Sequence, residues 1–281
     1  MISKTQQRFK SDSGFAYTVA GSGPAIVLVH GVGLRAEAWQ QQVDALSQHN
    51  TVYALDMPGH GQSELLSNPE ADLQAYVDAI ASWIASEVKA PVILMGHSMG
   101  SMIALHFAVR YPQWCRGAVA LNAVYRRTEA ARQAVQARAK AMLENPQLDR
   151  VSTPIARWFS ENPQGFEREM AELCASWLEA APAVGYARAY GIFSRSDSPS
   201  DQALAEIEAP VAYITGDGDA NSSPQMSQQM AALTPHGSAH VIEHSRHMVQ
   251  LTHPAQINQL LLDFVARCQC ESTHTKTHAG V

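Results

Sequence analysis

The sequence predicts an α/β domain built on a mostly parallel β-sheet with helices on both faces. Three observations carry this expectation. Short apolar runs alternate with longer stretches whose apolar residues recur at helical spacing, the rhythm of strand–helix repeats. Ala25–His30 is almost continuously apolar, as in strands buried on both faces. The alternation stops after Ala123 and resumes only at Val211, so a different kind of segment is inserted there.

In chain order, Gln7–Lys10 and Phe15–Ala20 read as a hairpin turned at Ser11-Asp-Ser-Gly14. Strands are expected at Ala25–His30, Thr51–Leu55, Val92–Met95 and Gly117–Leu121. Helices are expected between them at Ala36–Leu46, Leu73–Val88 and Met99–Tyr111, the last stopped by Pro112. From Tyr125 to about Glu208 the chain is rich in Ala, Arg, Glu and Gln and interrupted by Pro146, Pro154, Pro163 and Pro182, which reads as several short helices. Strand, helix, strand and helix follow at Val211–Thr215, Gln225–Leu233, Ala239–Glu243 and Ala255–Arg267. The expected division is a core of residues 1–123 and 209–267, a helical cap of 124–208, and a flexible polar tail of 268–281.

Bulk properties exclude several classes. A net charge of −6 argues against nucleic-acid binding, which needs a basic stripe. Four cysteines in 281 residues do not make a disulfide framework. The opening residues hold no apolar run of the signal-peptide kind, and no stretch nears the ~18 apolar residues of a membrane span. The expectation is a cytoplasmic protein with no cofactor and no metal, since no Cys or carboxylate partner of the histidines falls at a metal-ligand spacing. Oligomeric state leaves no trace in the sequence.

In open α/β sheets, ligands bind beyond the carboxyl ends of the strands, so the residues there are the candidates. Strand Val92–Met95 runs into Gly96-His-Ser98-Met-Gly100 and then directly into a helix. Gly-x-Ser-x-Gly in that setting is a tight turn that lifts a serine hydroxyl clear of the backbone at a helix N-terminus. A serine needs a base, and the base a carboxylate. Strand Val211–Thr215 ends in Gly216-Asp217-Gly-Asp219, and Ala239–Glu243 leads to His244-Ser-Arg-His247, in the chain order Ser, acid, His. Asp219 is favoured over Asp217, which suits a turn, and His247 over His244 and His253. Backbone N–H groups of Met99 and Val32 are the expected oxyanion donors.

Taken together, His30-Gly-Val-Gly33, Asp56-Met-Pro-Gly-His-Gly-Gln-Ser63, Gly96-His-Ser-Met-Gly100, Gly216-Asp-Gly-Asp219 and His247 resemble the α/β-hydrolase superfamily. The likeness implies an eight-stranded, mostly parallel sheet with a helical cap inserted after the sixth strand. It looks closest to small carboxylesterases, enol-lactonases and pimeloyl-carrier-protein methyl ester esterases, the last through His30–Trp39. It implies a small ester, lactone or thioester substrate cleaved through an acyl-enzyme; carbon–carbon hydrolysis and acyl transfer occur on similar proteins. Arg246, where a glycine often precedes the histidine, and Thr252-His253-Pro254 depart from the pattern. Ser98 argues against the dehalogenases and epoxide hydrolases of the superfamily, which carry aspartate there.

His30, Trp39, Arg126, Arg127, Trp158 and Phe159 are the candidates to face substrate; the arginines would suit a carboxylate or phosphate or are solvated residues at a helix start, and Trp158 and Phe159 line an acyl pocket or belong to the cap's own core. Met142, Phe166, Trp177 and Phe193 could join an acyl pocket or form the cap's own core. Two readings from other classes compete. Gly31-x-Gly33-x-x-Ala36 with Asp56 also fits an NAD(P)-binding oxidoreductase. A non-catalytic receptor or scaffold of the same fold would keep the motifs without the chemistry.

Overall fold

The computed structural model describes residues 7–145 and 148–277. The opening residues 1–6, Pro146 and the last four residues of the expected tail lie outside the described residues.

Strands β1 (Phe9–Lys10), β2 (Ala16–Ala20), β3 (Ala25–Val29), β4 (Thr51–Leu55), β5 (Val92–His97), β6 (Cys115–Leu121), β7 (Val211–Gly216) and β8 (Gly237–Ile242) form one sheet in the order β1-β2-β4-β3-β5-β6-β7-β8. The first two strands pair antiparallel, with Phe9 opposite Tyr17, and β2 joins β4 antiparallel; every other pairing is parallel. The helices are α1 (Gln40–Leu46), α2 (Leu73–Trp83), α3 (Met99–Arg110), α4 (Glu129–Glu144), α5 (Ser152–Trp158), α6 (Gly165–Ala180), α7 (Ala183–Arg195), α8 (Asp201–Ala205), α9 (Pro224–Leu233), α10 (Val249–Thr252) and α11 (Pro254–Thr277).

Alternate residues of the central strands serve opposite faces. Val27, Val29, Leu94, Ala118 and Ala120 pack with α2 and α3, whereas Ile26, Leu28, Ile93, Met95 and Val119 pack with α1 and α11. Burial on both faces explains the unbroken apolar runs that announced these strands. Trp83 closes the edge of the sheet: its ring lies 5.1 Å from Tyr17 and 5.7 Å from Tyr53, tying α2 to the hairpin.

Helices α4 to α8 all lie between β6 and β7, as an insertion after the sixth strand. Part of it has its own core of Phe159, Met170, Cys174 and Trp177, packed on Met248 and Leu251 of the sheet domain. Helix α11 continues through Thr277 instead of ending at Arg267, because no proline or glycine interrupts that stretch. No helix of the described residues is long and apolar enough to cross a membrane.

Candidate functional site

Ser98 sits between β5 and α3 with φ 55° and ψ −117°, a strained conformation held by its surroundings. A Cβ on Gly96 would stand 1.9 Å from the Gly100 carbonyl oxygen, and one on Gly100 would stand 2.1 Å from that of Val29. Both flanking positions therefore require glycine. The Ser98 N–H donates to the Leu121 carbonyl at 2.9 Å, fixing the turn against the next strand.

The loop after β8 delivers His247, and the loop after β7 delivers Asp219. The imidazole Nδ1 lies 2.7 Å from Asp219 Oδ2, and both residues are buried. Asp219 also accepts from Asn122 Nδ2 at 2.8 Å, from the Asn221 N–H at 2.8 Å and from the Ser222 hydroxyl. Burial alone would raise the Asp219 pKa; the nearby His247 and these hydrogen bonds outweigh it and hold the carboxyl well below the usual carboxylate range. The His247 carbonyl accepts from His97 Nε2 at 2.8 Å, and its N–H donates to the Trp158 carbonyl at 3.2 Å.

The loop after β3 packs directly on the serine turn: a Cβ on Gly31 would be 2.9 Å from Ser98 Cβ. Two buried histidines set its shape. His30 Nε2 accepts the Met57 N–H at 2.9 Å while Nδ1 donates to the Gly31 carbonyl at 2.7 Å. His60 Nε2 accepts the Gly33 N–H at 3.0 Å. Burial pushes His30 down to about 4 and His60 to about 3, so each stays neutral and keeps the lone pair its acceptor role requires.

Ser98, His247 and Val32 open on one cavity of about 380 Å³ roofed by the helical insertion. Val124, Pro154, Trp158, Tyr186, Tyr190 and Phe193 supply much of its wall. Arg127, Arg138 and Arg157 also line it, and among the described residues no Asp or Glu does. Arg127 is buried, donates to Asp197 at 3.0 Å and lies over the Phe193 ring, yet its Nη2 is buried with no hydrogen-bond partner. No group of three or more His, Cys, Asp or Glu among the described residues could hold a metal ion.

Residues 26–260 match the model of the alpha/beta hydrolase family. The chain belongs to the alpha/beta hydrolase family. Over 261 residues the hydrolase is 42% identical to (E)-2-((N-methylformamido)methylene)succinate hydrolase of Acinetobacter baylyi, covering 93% of this chain and 97% of that one. It is 28% identical over 256 residues to the pimeloyl-[acyl-carrier protein] methyl ester esterase of Xylella fastidiosa, covering 88% and 97% of the two chains. Its fold superimposes on a malate-bound thermophilic esterase from Thermogutta terrifontis with a TM-score of 0.83 at 23% identity, over 94% of this chain and 99% of that one.

The structure brings only some of the sequence-derived residues to the hydrolase cavity. Ser98, His247, Val32, Arg127 and Trp158 line it, and Trp158 stacks over His247 with centroids 6.0 Å apart. Met99 follows Ser98 as the first residue of α3, with its side chain in the core. His30 is sealed beneath the loop with both ring nitrogens on backbone groups, so it cannot reach a ligand. Trp39 lies in the core below the sheet, with Val43 and Leu46, and Phe159 in the core of the insertion, so neither is at the cavity: large apolar side chains beside the site are claimed by the packing of their own layers. Arg126 turns outward to pair with Asp201. Phe193 lines the cavity, whereas Trp177 is interior, Met142 is core and Phe166 is exposed. Asp217 accepts the His244 and Ser245 N–H groups, a turn role.

Asp56 accepts from Ala36 N–H at 2.8 Å, Gln62 N–H at 3.0 Å and Arg8, and is wholly buried. Saturated in this way it has nothing to offer a ribose hydroxyl, which removes the dinucleotide alternative. Sequence reasoning missed Asn122, Ser222, Arg138, Arg157, Tyr186 and Tyr190. Asn122 stands directly after β6, and inspection of the first residue beyond each strand would have found it; the others lie where periodicity says only helix or loop.

Proposed function

We propose that the hydrolase cleaves an acyl bond, of ester type, in a small carboxylate-bearing substrate, with Ser98 as nucleophile, His247 as base and Asp219 as its partner. The observation that carries this reading is the 2.7 Å contact of His247 Nδ1 with Asp219, made by a histidine that shares its cavity with Ser98. With Nδ1–H engaged, Nε2 carries the lone pair and is free to take the Ser98 proton. Ser98 Oγ attacks the carbonyl carbon, and the N–H groups of Val32 and Met99 receive the charge on its oxygen. The imidazolium then gives its proton to the leaving group, and water, deprotonated by the same nitrogen, releases the acid from Ser98. Asp219 stays ionised throughout, which its depressed pKa favours.

The anionic substrate is supported by three arginines on a cavity wall that has no carboxylate among the described residues. The Acinetobacter baylyi relative at 42% identity is named for a succinate bearing a formamide. That supports a second reading, in which the bond cut is an amide C–N bond and His247 protonates a nitrogen instead of an oxygen. A panel comparing p-nitrophenyl acetate, monomethyl succinate and a formamidomethylene succinate tests both. Turnover of the charged substrates at higher kcat/KM than the neutral ester, lost in Ser98→Ala, is the expected result. Undiminished turnover in Ser98→Ala would overturn the assignment.

A further inference from the structure

The residue before His247 departs from the glycine often found there, and the structure gives it a role. Helix α5 ends at Trp158, and the Phe159 N–H closes its last turn on the Ile155 carbonyl at 3.2 Å. The next N–H, that of Ser160, turns away to Glu167 at 2.9 Å. The carbonyls from Ala156 onward are thus helix-end acceptors without helical partners. The loop carrying His247 satisfies three of them. Arg246 Nη1 donates to Phe159 O at 2.9 Å and to Ala156 O at 3.4 Å, and the His247 N–H donates to Trp158 O at 3.2 Å. A guanidinium also suits the negative end of a helix.

The same short helix faces the cavity through Thr153, Pro154, Arg157 and Trp158. Its Trp158 ring stacks on the His247 imidazole at 28° between planes, and Arg157 donates to the side-chain carbonyl of Asn221, a residue whose backbone N–H donates to Asp219. One end of α5 therefore touches the backbone and ring of His247 and the loop that holds Asp219.

We infer that Arg246 is a positioning residue, which fastens the end of α5 to the His247 loop so that the seating of the insertion and the aim of the imidazole are set by one joint. This rests on the Ser98–His247–Asp219 reading above. Apart from Trp158, which takes its N–H and stacks on its ring, His247 is tethered from the sheet domain, through His97 on its carbonyl and Asp219 on its ring. Without the guanidinium, the neighbouring N–H···O bond to Trp158 stands by itself and the imidazole gains freedom to swing. A base displaced by about an ångström costs roughly ten- to a hundredfold in rate.

Arg246→Met keeps the aliphatic stem beside Gly218 and removes the donor; Arg246→Lys restores one. Two quantities are read: kcat per titrated Ser98, on p-nitrophenyl acetate as well as a charged ester, and hydrogen-exchange protection of the His247 amide. In Arg246→Met, kcat falls roughly tenfold or more on both substrates with little change in KM, and the His247 amide exchanges at least tenfold faster; Arg246→Lys recovers most of both. A residue that only stabilises the fold would lower the melting temperature and leave kcat per titrated site and the amide unchanged, and that outcome overturns the inference. If the wild type hydrolyses no ester or amide, the functional reading fails, while the exchange comparison still judges the joint by itself.

Discussion

Asn122 donates to the same carboxylate oxygen of Asp219 that receives His247 Nδ1–H, at 2.8 Å from the amide nitrogen and 2.7 Å from the imidazole. The backbone of Asn122 is left-handed, at φ 54°, which lets the amide reach across from the end of β6. Asn122→Gly keeps that backbone and deletes the amide. A hydrogen bond to a buried charge contributes about 1.5–3 kcal/mol, so urea unfolding should show a loss in that range. The kcat should fall by roughly tenfold as the carboxylate is freed to turn; an unchanged kcat would show that Asn122 does not steer Asp219.

The acid sensitivity of the fold follows from three histidines kept neutral by burial. His30 is pushed from the ordinary 6.5 to about 4, and His60 and His97 to about 3. Between those values the unfolded chain binds protons that the folded one refuses, so stability rises with pH in that window. It is fully present above about 6.5 and drains away as the pH falls towards 4, by up to about 1.4 kcal/mol per pH unit for each histidine. Asp219 acts in the same direction at lower pH, its contribution being lost as pH falls below the usual carboxylate range. Unfolding free energies measured at pH 7, 6 and 5 should drop steeply, and less steeply in His60→Asn; a flat profile contradicts the neutral assignment.

Gly31→Ala tests the packing of the first loop on the serine turn. The added methyl would lie 2.9 Å from Ser98 Cβ and 3.2 Å from His97 Nδ1, so loop or serine must shift. Overpacking of this kind costs about 1–3 kcal/mol, and the Val32 N–H moves with the loop. A fall in kcat exceeding tenfold with a modest loss in melting temperature is expected, read by steady-state kinetics and thermal unfolding.

Arg157→Gln separates substrate charge from chemistry. Arg157 lines the cavity, is itself exposed, and binds Asn221, so its loss should leave the fold intact. A charge-assisted hydrogen bond of about 1.5–3 kcal/mol corresponds to a KM rise of roughly ten- to a hundredfold for a carboxylate-bearing ester. The KM for p-nitrophenyl acetate should move by less than about twofold. Equal effects on both substrates would remove Arg157 from carboxylate recognition.

Much of the sheet, and the strand-end turns that bring Ser98, Asp219 and His247 to the candidate site, was legible because tight turns and doubly buried strands demand so much of a sequence. The turn at Ser98 needs glycine at 96 and 100 for reasons of space alone, and burial on both faces writes β3, β5 and β7 as apolar runs. The cavity wall was far less legible. Arg138 lies on α4, whose Ala-, Arg- and Gln-rich composition looks solvated, and Arg157 on the short α5; only the fold of the insertion sets both at the cavity wall. Trp39 and Phe159 illustrate the converse: a large apolar side chain beside a functional one serves the core as readily as the pocket.

The most direct test is where a slow acyl donor becomes attached. Incubation with a p-nitrophenyl carbamate or fluorophosphonate, followed by digestion and mass spectrometry, should place a single adduct on Ser98 and abolish turnover in proportion to labelling. Asp219→Asn should slow that labelling by at least a hundredfold. An adduct elsewhere, or full activity with Ser98 modified, would contradict the account.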